Sequence, residues 1–328
     1  GKRDGFNSAV ILDKYIFIVG YKETRKKIID RYLLKVDVNN GNIIWSKSFP
    51  SSKNGSSSAF ESVVVTNKNG LLLTGVTNAS YEAMEGFKSY GNPSNGNAFL
   101  MHFSNDLLTS KTSPKKPSWE KEYKNLLTGK SIKKIANTND FLIASSTNEP
   151  TAAKVLKING DGTTLWNKKY PQHGELTDIA VTTDGYFLSG HKISANGGID
   201  GSITKISSNG VVIWNKIYGN PEGETNSFFK DYIVSNELIF DECWSIVDMN
   251  NRAVVFACGT GIEECDALSG QKKRDCLKDP RQTWRSYLVK INLDGDIIWE
   301  KTSSFFFTGE EDDSFLASVA AEWVFINS

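Results

Sequence analysis

The 328-residue chain predicts an all-β fold made of repeated four-stranded antiparallel units. The first observation is a Gly-x-x-x-Trp motif that recurs at Gly41, Gly162, Gly210 and Gly295. Each of these glycines follows Asn or Asp and separates two short alternating runs, which is the pattern of a tight β-hairpin. A second observation is the lack of any convincing period of 3.6 residues, the mark of an amphipathic helix.

Each hairpin is preceded by another pair of predicted strands, so that one unit contains four. The upstream pairs cover residues 8–20, 62–75, 131–145, 178–190 and 244–259. One copy is degraded: it opens at Ala98, its turn is expanded through Ser113-Pro-Lys-Lys-Pro, and it closes at Trp119-Glu-Lys. Counting this copy, the sequence contains five complete units.

The spacing of the repeat tryptophans is the third observation. The interval is 47 residues from Trp119 to Trp166 and 48 from Trp166 to Trp214, which matches a four-stranded propeller blade. Longer intervals, from Trp45 to Trp119 and from Trp214 to Trp299, indicate loop insertions. The sequence therefore predicts a single β-propeller domain over residues 1–328, with five complete repeats and a partial sixth, most consistent with six blades. The repeats are expected at about 5–50, 58–124, 129–171, 174–219 and 241–302, with the partial one at 312–328.

A Lys-hydrophobic-Asx strand followed by Gly-x-x-x-Trp resembles the tryptophan-docking repeat of pyrroloquinoline-quinone-type propellers. It is similar, more closely still, to repeats of secreted bacterial propellers. The resemblance implies that the repeat tryptophans pack between neighbouring blades; these are Trp45, Trp119, Trp166, Trp214 and Trp299. It implies little about function, because propellers host catalysis, binding and scaffolding alike. The chain is too short for the eight blades usual in quinoprotein dehydrogenases, and we predict neither a cofactor nor a bound metal.

Charge limits the classes of partner. The chain has 38 Lys+Arg and 38 Asp+Glu, and a net charge of zero argues against broad electrostatic binding to nucleic acid, although a local basic patch stays possible. No apolar run reaches the roughly 18 residues of a membrane span. We therefore expect a protein or glycan partner, no nucleic acid and no membrane-spanning segment.

The placement of the four cysteines indicates the kind of compartment in which the protein resides. Cys243 and Cys258 flank a predicted turn and should lie opposite each other on paired strands, while Cys265 and Cys276 bracket a polar insertion. Two disulfides within one repeat would fit an oxidising setting, either extracellular, periplasmic or at the cell surface. A zinc site of four thiolates and a set of reduced, buried thiols are the alternatives.

Evidence for catalysis is sparse. His102, His173 and His191 show no spacing typical of a catalytic triad, and no Gly-x-Ser-x-Gly motif occurs. Two glycosylation sequons begin at Asn54 and Asn78. We therefore predict a non-catalytic extracellular binding or assembly module. The alternative is a propeller hydrolase or lyase acting on glycans, which would need paired carboxylates.

Binding is expected in three long loops, because propeller strands fix the frame and loops vary. These loops are 77–97, 221–241, and the 265–276 insertion with its continuation to 285. They contain aromatic and arginine residues of the kind enriched at interface hot spots. The alternative is that the aromatic side chains pack the loops onto the blades. The candidate binding residues are Tyr81, Phe87, Tyr90, Phe228, Phe229, Tyr232, Arg281, Trp284 and Arg285.

Overall fold

The computed structural model describes residues 4–25, 27–84, 94–147, 153–193, 199–219, 240–261, 270–271 and 285–303. The chain divides into two compact units, Gly1–Tyr170 and Pro171–Ser328. Within them the strands form five antiparallel sheets of four strands each, in chain order. This arrangement confirms the predicted propeller with five complete repeats, and the partial sixth at 312–328 lies outside the described residues.

The first unit contains three of these sheets. The first sheet is β1 (Asp4–Leu12), β2 (Tyr15–Arg25), β3 (Ile28–Asp37) and β4 (Ile43–Phe49). The second is β5 (Ser57–Val65), β6 (Leu71–Ala79), β7 (Asn97–Phe103) and β8 (Trp119–Tyr123), with a single helical turn, α1 (Asp106–Thr109), in its expanded hairpin. The third is β9 (Thr128–Lys134), β10 (Asp140–Ser146), β11 (Ala153–Asn159) and β12 (Thr164–Tyr170).

The second unit contains the other two sheets. One is β13 (Glu175–Thr182), β14 (Gly185–Ile193), β15 (Ile199–Ile206) and β16 (Val212–Tyr218). The other is β17 (Phe240–Asp248), β18 (Ala253–Gly261), β19 (Arg285–Asn292) and β20 (Ile297–Ser303). A single parallel pair, Ile199 with Phe240, joins the two sheets.

The two ends of the sheets differ in the length of their connections. At one end, which we call the turn end, all connections are short except the one between β7 and β8. The opposite end of each sheet, which we call its loop end, has the long connection from Ala79 to Asn97 in the first unit, and those from Tyr218 to Phe240 and from Gly261 to Arg285 in the second. The long intervals between tryptophans therefore come from loop insertions, as predicted.

Apolar faces of neighbouring sheets form the core. One hydrophobic cluster joins Leu72 and Leu100 of the second sheet to Phe141 and Ile143 of the third. Another joins sheets four and five through residues such as Phe187 and Phe256. Because each sheet offers one apolar face to the next, burial of these side chains is the main force that stacks the repeats.

The repeat tryptophan contacts the glycine of the next repeat. A methyl group at Gly162 would lie 3.0 Å from Cη2 of Trp119, and one at Gly295 would lie 3.0 Å from Cη2 of Trp214. These glycines have φ angles of +79° and +83°, a conformation that other residues adopt at a cost. The motif therefore combines a turn that needs glycine with a flat surface for the preceding indole.

Two side chains on the same strand reinforce this contact. In the second sheet, the Lys121 ammonium and the Tyr123 hydroxyl donate hydrogen bonds to the Gly162 carbonyl, at 2.7 and 3.2 Å. In the fourth sheet, the Tyr218 hydroxyl donates to the Gly295 carbonyl at 2.7 Å. Trp, Lys and Tyr at alternate positions thus form one docking face.

The degraded repeat is docked differently. Trp45 is only 7% exposed and shares a hydrophobic cluster with Leu107 of α1. Lys35, which is buried, donates to the carbonyls of Leu107, Leu108 and Ser110 at 2.7, 2.8 and 3.1 Å. The helical turn therefore replaces the missing glycine turn. Of the other repeat tryptophans, Trp119, Trp166 and Trp214 are half-buried and Trp299 is 36% exposed.

The disulfide between Cys243 and Cys258 is present, as predicted. The register explains how the pair meets. Ser245 pairs with Ala257 and Val247 with Val255, a register that alone would not set Cys243 opposite Cys258. A β-bulge between Cys243 and Ser245 shifts the register by one residue and brings the two cysteines together. Cys265 and Cys276 lie outside the described residues, and their pairing stays a prediction.

Candidate functional site

The loop end of each unit is the candidate site, and the strand pairing shows which loops emerge there. In the second unit, Phe240 pairs with Gly261 and Thr260 with Arg285, so the loops at 219–240 and 261–285 leave from the same end. The sequence left the position of the 219–240 loop open. The structure places its attachment points beside those of the cysteine-containing loop.

Most predicted binding residues fall outside the described part of the chain. These are Phe87, Tyr90, Phe228, Phe229, Tyr232, Arg281 and Trp284. Arg285 is the first residue of β19. Tyr81 is described, and it packs against a hydrophobic cluster that includes Ile29, Val76 and Met84. This contact agrees with the alternative interpretation for Tyr81, in which an aromatic side chain packs its own loop onto the sheet.

Asn78 organises the loop end of the first unit. Its side-chain oxygen accepts hydrogen bonds from Ser51 Oγ at 2.7 Å, Ser52 Oγ at 3.1 Å and the Lys53 amide at 2.9 Å. Its side-chain amide donates to Glu122 at 3.0 Å. Attachment of a glycan to Asn78 would therefore disrupt this network, whereas Asn54 lies in an exposed turn.

A second cluster lies at the loop end of the second unit, on β13 and β14 of the fourth sheet and on β17 of the fifth. The Nε2 atom of His191 is 3.5 Å from Oε2 of Glu175, and both side chains are slightly exposed. The His191 ring meets the half-buried indole of Trp244 edge to face, with ring centroids 5.6 Å apart. An imidazole, a carboxylate and an aromatic ring are suited to hydrogen bonding and stacking with a polar ligand.

A β-bulge places Trp244 in this cluster. It is the residue left unpaired on β17 between Cys243 and Ser245, and a bulge re-aims the side chain it contains. Sequence analysis identified His191 only as a lone histidine and did not single out Glu175 or Trp244. The bulge, which brings Trp244 beside His191, has no signature in the residue types.

His173 lies beneath this cluster and has a structural role. It is fully buried, and its Nε2 atom is 2.8 Å from the hydroxyl of Thr204. Burial, with smaller contributions from His191 and Lys192, lowers the pKa of His173 to about 3. The imidazole is therefore neutral at physiological pH.

In the part of the chain that the structure describes, no three His, Cys, Asp or Glu side chains are grouped so that they could hold a metal ion. Among the same residues, no helix is both long enough and apolar enough to cross a membrane.

Comparison with known proteins supports the fold alone. No protein-family model matches the chain, and no curated protein is significantly similar to it. A structure of Kuenenia stuttgartiensis hydrazine synthase has 12% identity and a TM-score of 0.54, with 92% of this chain and 66% of that chain covered. The Neurospora crassa Pan2 WD40 domain has 10% identity and a TM-score of 0.43, covering 79% and 76%. The Dos1 propeller has 8% identity and a TM-score of 0.46, covering 91% and 69%.

Proposed function

We propose that the protein is an extracellular or cell-surface binding module whose loop end contacts a protein or glycan partner. The observation that carries this proposal is the difference between the two ends of the sheets: the long connections at 79–97, 218–240 and 261–285 all belong to the loop end. Such loops can vary while the strands keep the frame. The disulfide between Cys243 and Cys258 supports an oxidising compartment.

Aromatic and arginine side chains of the second and third long loops supply the proposed contact surface, with Trp284, Arg281 and Arg285 as its densest group. Burial of one large aromatic side chain against a partner contributes about 1.5–3 kcal/mol. Its loss weakens binding by about one to two orders of magnitude.

The test is a binding screen against a glycan array and a surface-protein extract of the source cells. Trp284→Ala is expected to weaken binding of the partner that the loop end contacts. The matched control is Val211→Ser, which removes a 59% exposed apolar side chain near the turn end and should leave binding unchanged. Equal binding by Trp284→Ala and the wild-type protein would contradict the proposal.

A glycan hydrolase or lyase is the second candidate, favoured by the contact of Glu175 with His191 beside Trp244. A carboxyl group next to an imidazole can transfer protons, and an indole can stack on a sugar ring. Turnover of a polysaccharide panel by the wild-type protein, lost in Glu175→Gln, would support this candidate. An inactive wild-type protein that nevertheless binds glycans would favour the binding module.

A further inference from the structure

The net charge of zero is divided unequally between the two units. Residues 1–170 contain 25 Lys+Arg and 14 Asp+Glu, whereas residues 171–328 contain 13 and 24. The first unit therefore has a net charge of +11 and the second a net charge of −11. A unit with this surplus attracts polyanions even though the chain as a whole is neutral.

The positive charge is densest around the degraded repeat. Between residues 111 and 169 the chain has twelve lysines, five acidic residues and no arginine. Five of these lysines are exposed and lie between α1 and β9, on the expanded hairpin, on β8 and just after it. We call them the lysine strip: Lys111, Lys115, Lys116, Lys121 and Lys124.

The two carboxylates within the strip's own segment have partners on neighbouring strands and loops. Glu120 forms an ion pair of 2.6 Å with the buried Arg31. Glu122 accepts hydrogen bonds from the side-chain amides of Asn78 and Asn97 at 3.0 and 2.6 Å. Arg31 therefore balances the charge of Glu120, and Glu122 leaves one carboxylate charge against the five lysines of the strip.

Two other carboxylates lie near the strip and offset its positive charge only in part. Asp106 accepts a hydrogen bond from Ser104 Oγ at 2.8 Å. The pKa of Asp161 is lowered mainly by its hydrogen bonds with Thr163, and to a smaller extent by Lys121. Against five lysines these two groups leave a positive surplus.

The hairpin that carries the lysines is anchored to the second sheet at the point where it closes. The Ser118 amide donates to the His102 carbonyl at 2.7 Å, and the Ser104 amide donates to Ser118 Oγ at 3.1 Å. The Trp119 ring stacks on the His102 ring with centroids 5.4 Å apart. A ligand that binds the lysines would then mainly order their side chains, because the hairpin that presents them is already anchored. This lowers the entropic cost of binding.

We propose that the lysine strip binds an acidic polysaccharide, carboxylated or sulfated. This inference deepens the proposed function and rests on its extracellular setting. A row of lysines presents separate point charges, which match the repeated anions of a linear polysaccharide. Arginine is the residue of choice for bidentate phosphate and nucleic-acid recognition, and its absence between residues 111 and 169 disfavours those ligands.

The experiment measures binding to immobilised polygalacturonate, which is carboxylated, and to chondroitin sulfate, with neutral dextran as reference. Charge attraction supplies most of the proposed binding, and salt screens it. Wild-type affinity should therefore fall steeply as NaCl rises from about 0.05 to about 0.3 M. The triple variant Lys111→Glu/Lys115→Glu/Lys116→Glu should bind on the order of 100-fold more weakly. The polymer that the wild-type protein binds shows whether the strip takes a carboxylated or a sulfated polysaccharide.

The control is Lys53→Glu/Arg252→Glu/Lys301→Glu, which changes net charge equally at exposed positions elsewhere. It should keep wild-type affinity, and thermal melts should show both triple variants folded. If the first triple variant does not fold, Lys115→Gln/Lys116→Gln replaces it, with an expected loss of about tenfold. Equal weakening by strip and control variants, no binding to either acidic polymer, or preferential binding of duplex DNA or anionic vesicles would overturn the proposal.

The same polymers separate this inference from the proposed function. Binding that survives Trp284→Ala but is lost in the strip variant supports the lysine strip independently of the loop end. Binding that is lost in Trp284→Ala and kept in the strip variant supports the loop end and overturns the strip.

Discussion

The glycine of the Gly-x-x-x-Trp motif shows how a single residue links local conformation to packing. At Gly162 the positive φ angle closes the hairpin turn, and the lack of a side chain admits the Trp119 ring. Gly41 has the same place in its turn and a similar φ angle of +72°. Among the described residues, no atom lies within 4 Å of where its Cβ would be. A side chain at Gly41 would therefore cost only the strain of the positive φ angle, whereas one at Gly162 would also cost a clash with Trp119.

We predict that Gly41→Ala lowers the free energy of unfolding by about 1 kcal/mol, the cost of placing an L-residue at positive φ. Gly162→Ala should lower it by about 1–3 kcal/mol more, because the new methyl group overlaps with the indole. Urea unfolding of both variants provides the measurement. Equal losses would show that Trp119 does not depend on the glycine surface.

His173 illustrates a buried ionisable group at the same scale. Its pKa is lowered from 6.5 to about 3 in the folded protein, so the unfolded state binds a proton more readily. The neutral imidazole is fully compatible with the fold above pH 6.5. Stability is therefore lost progressively as the pH falls from about 6.5 toward 3.

The predicted slope from His173 is about 1.4 kcal/mol per pH unit within that window. His173→Gln keeps a hydrogen-bonding group but cannot titrate, so its unfolding free energy should fall less steeply between pH 6 and pH 4. Urea unfolding at several pH values measures both slopes. Parallel slopes in the two proteins would show that His173 is not the titrating group.

At the scale of elements, β-bulges in β1 and β13, the first strands of the first and fourth sheets, make lateral contacts to the next sheet. Asn7, unpaired on β1, donates its side-chain amide to the Phe60 carbonyl at 2.7 Å. Thr177, unpaired on β13, donates its hydroxyl to the Cys243 carbonyl at 2.8 Å. These equivalent bonds tie the first strand of one sheet to the first strand of the next.

The bulges also explain what the sequence could and could not predict. Turn residues and alternation were sufficient for the sheets, because Gly41 and Gly295 mark hairpins by residue type. The bulge at Trp244 has no such signature. It makes the predicted pairing of Cys243 with Cys258 possible, and it brings Trp244 beside His191, a contact that the sequence did not predict. The docking of Lys35 on α1 was also unpredictable, since it depends on a carbonyl arrangement formed only after folding.

The disulfide prediction belongs to this scale, because the bond ties β17 to β18. Its cysteines are 15 residues apart, and closure of a loop of that size in the unfolded state contributes about 3 kcal/mol. Cys243→Ala/Cys258→Ala should therefore melt well below the wild-type protein. Intact mass with and without reductant should differ by four hydrogens if Cys265 and Cys276 also pair, and by two if they do not. Free Cys243 and Cys258 in unreduced protein would contradict the structure.

At the scale of the whole molecule, the repeats and the loops have separate tasks. Trp119 and Trp214 dock one sheet on the next through a glycine turn, so these two tryptophans belong to the frame. The proposed contact residues lie in the long connections of the loop end. The lysine strip that we propose in the positively charged first unit would add a second, electrostatic means of binding.

The measurement that tests this division most directly is thermal denaturation of Trp214→Ala and Trp284→Ala side by side. Trp214 is half-buried against Gly295, and its loss should cost about 2–3 kcal/mol, which lowers Tm by about 4–8 °C. Trp284→Ala should melt within about 1 °C of the wild-type protein, because the proposal assigns this side chain to partner contact and not to the frame. If Trp284→Ala melts as early as Trp214→Ala, the loop tryptophan is part of the frame and the division of tasks is wrong.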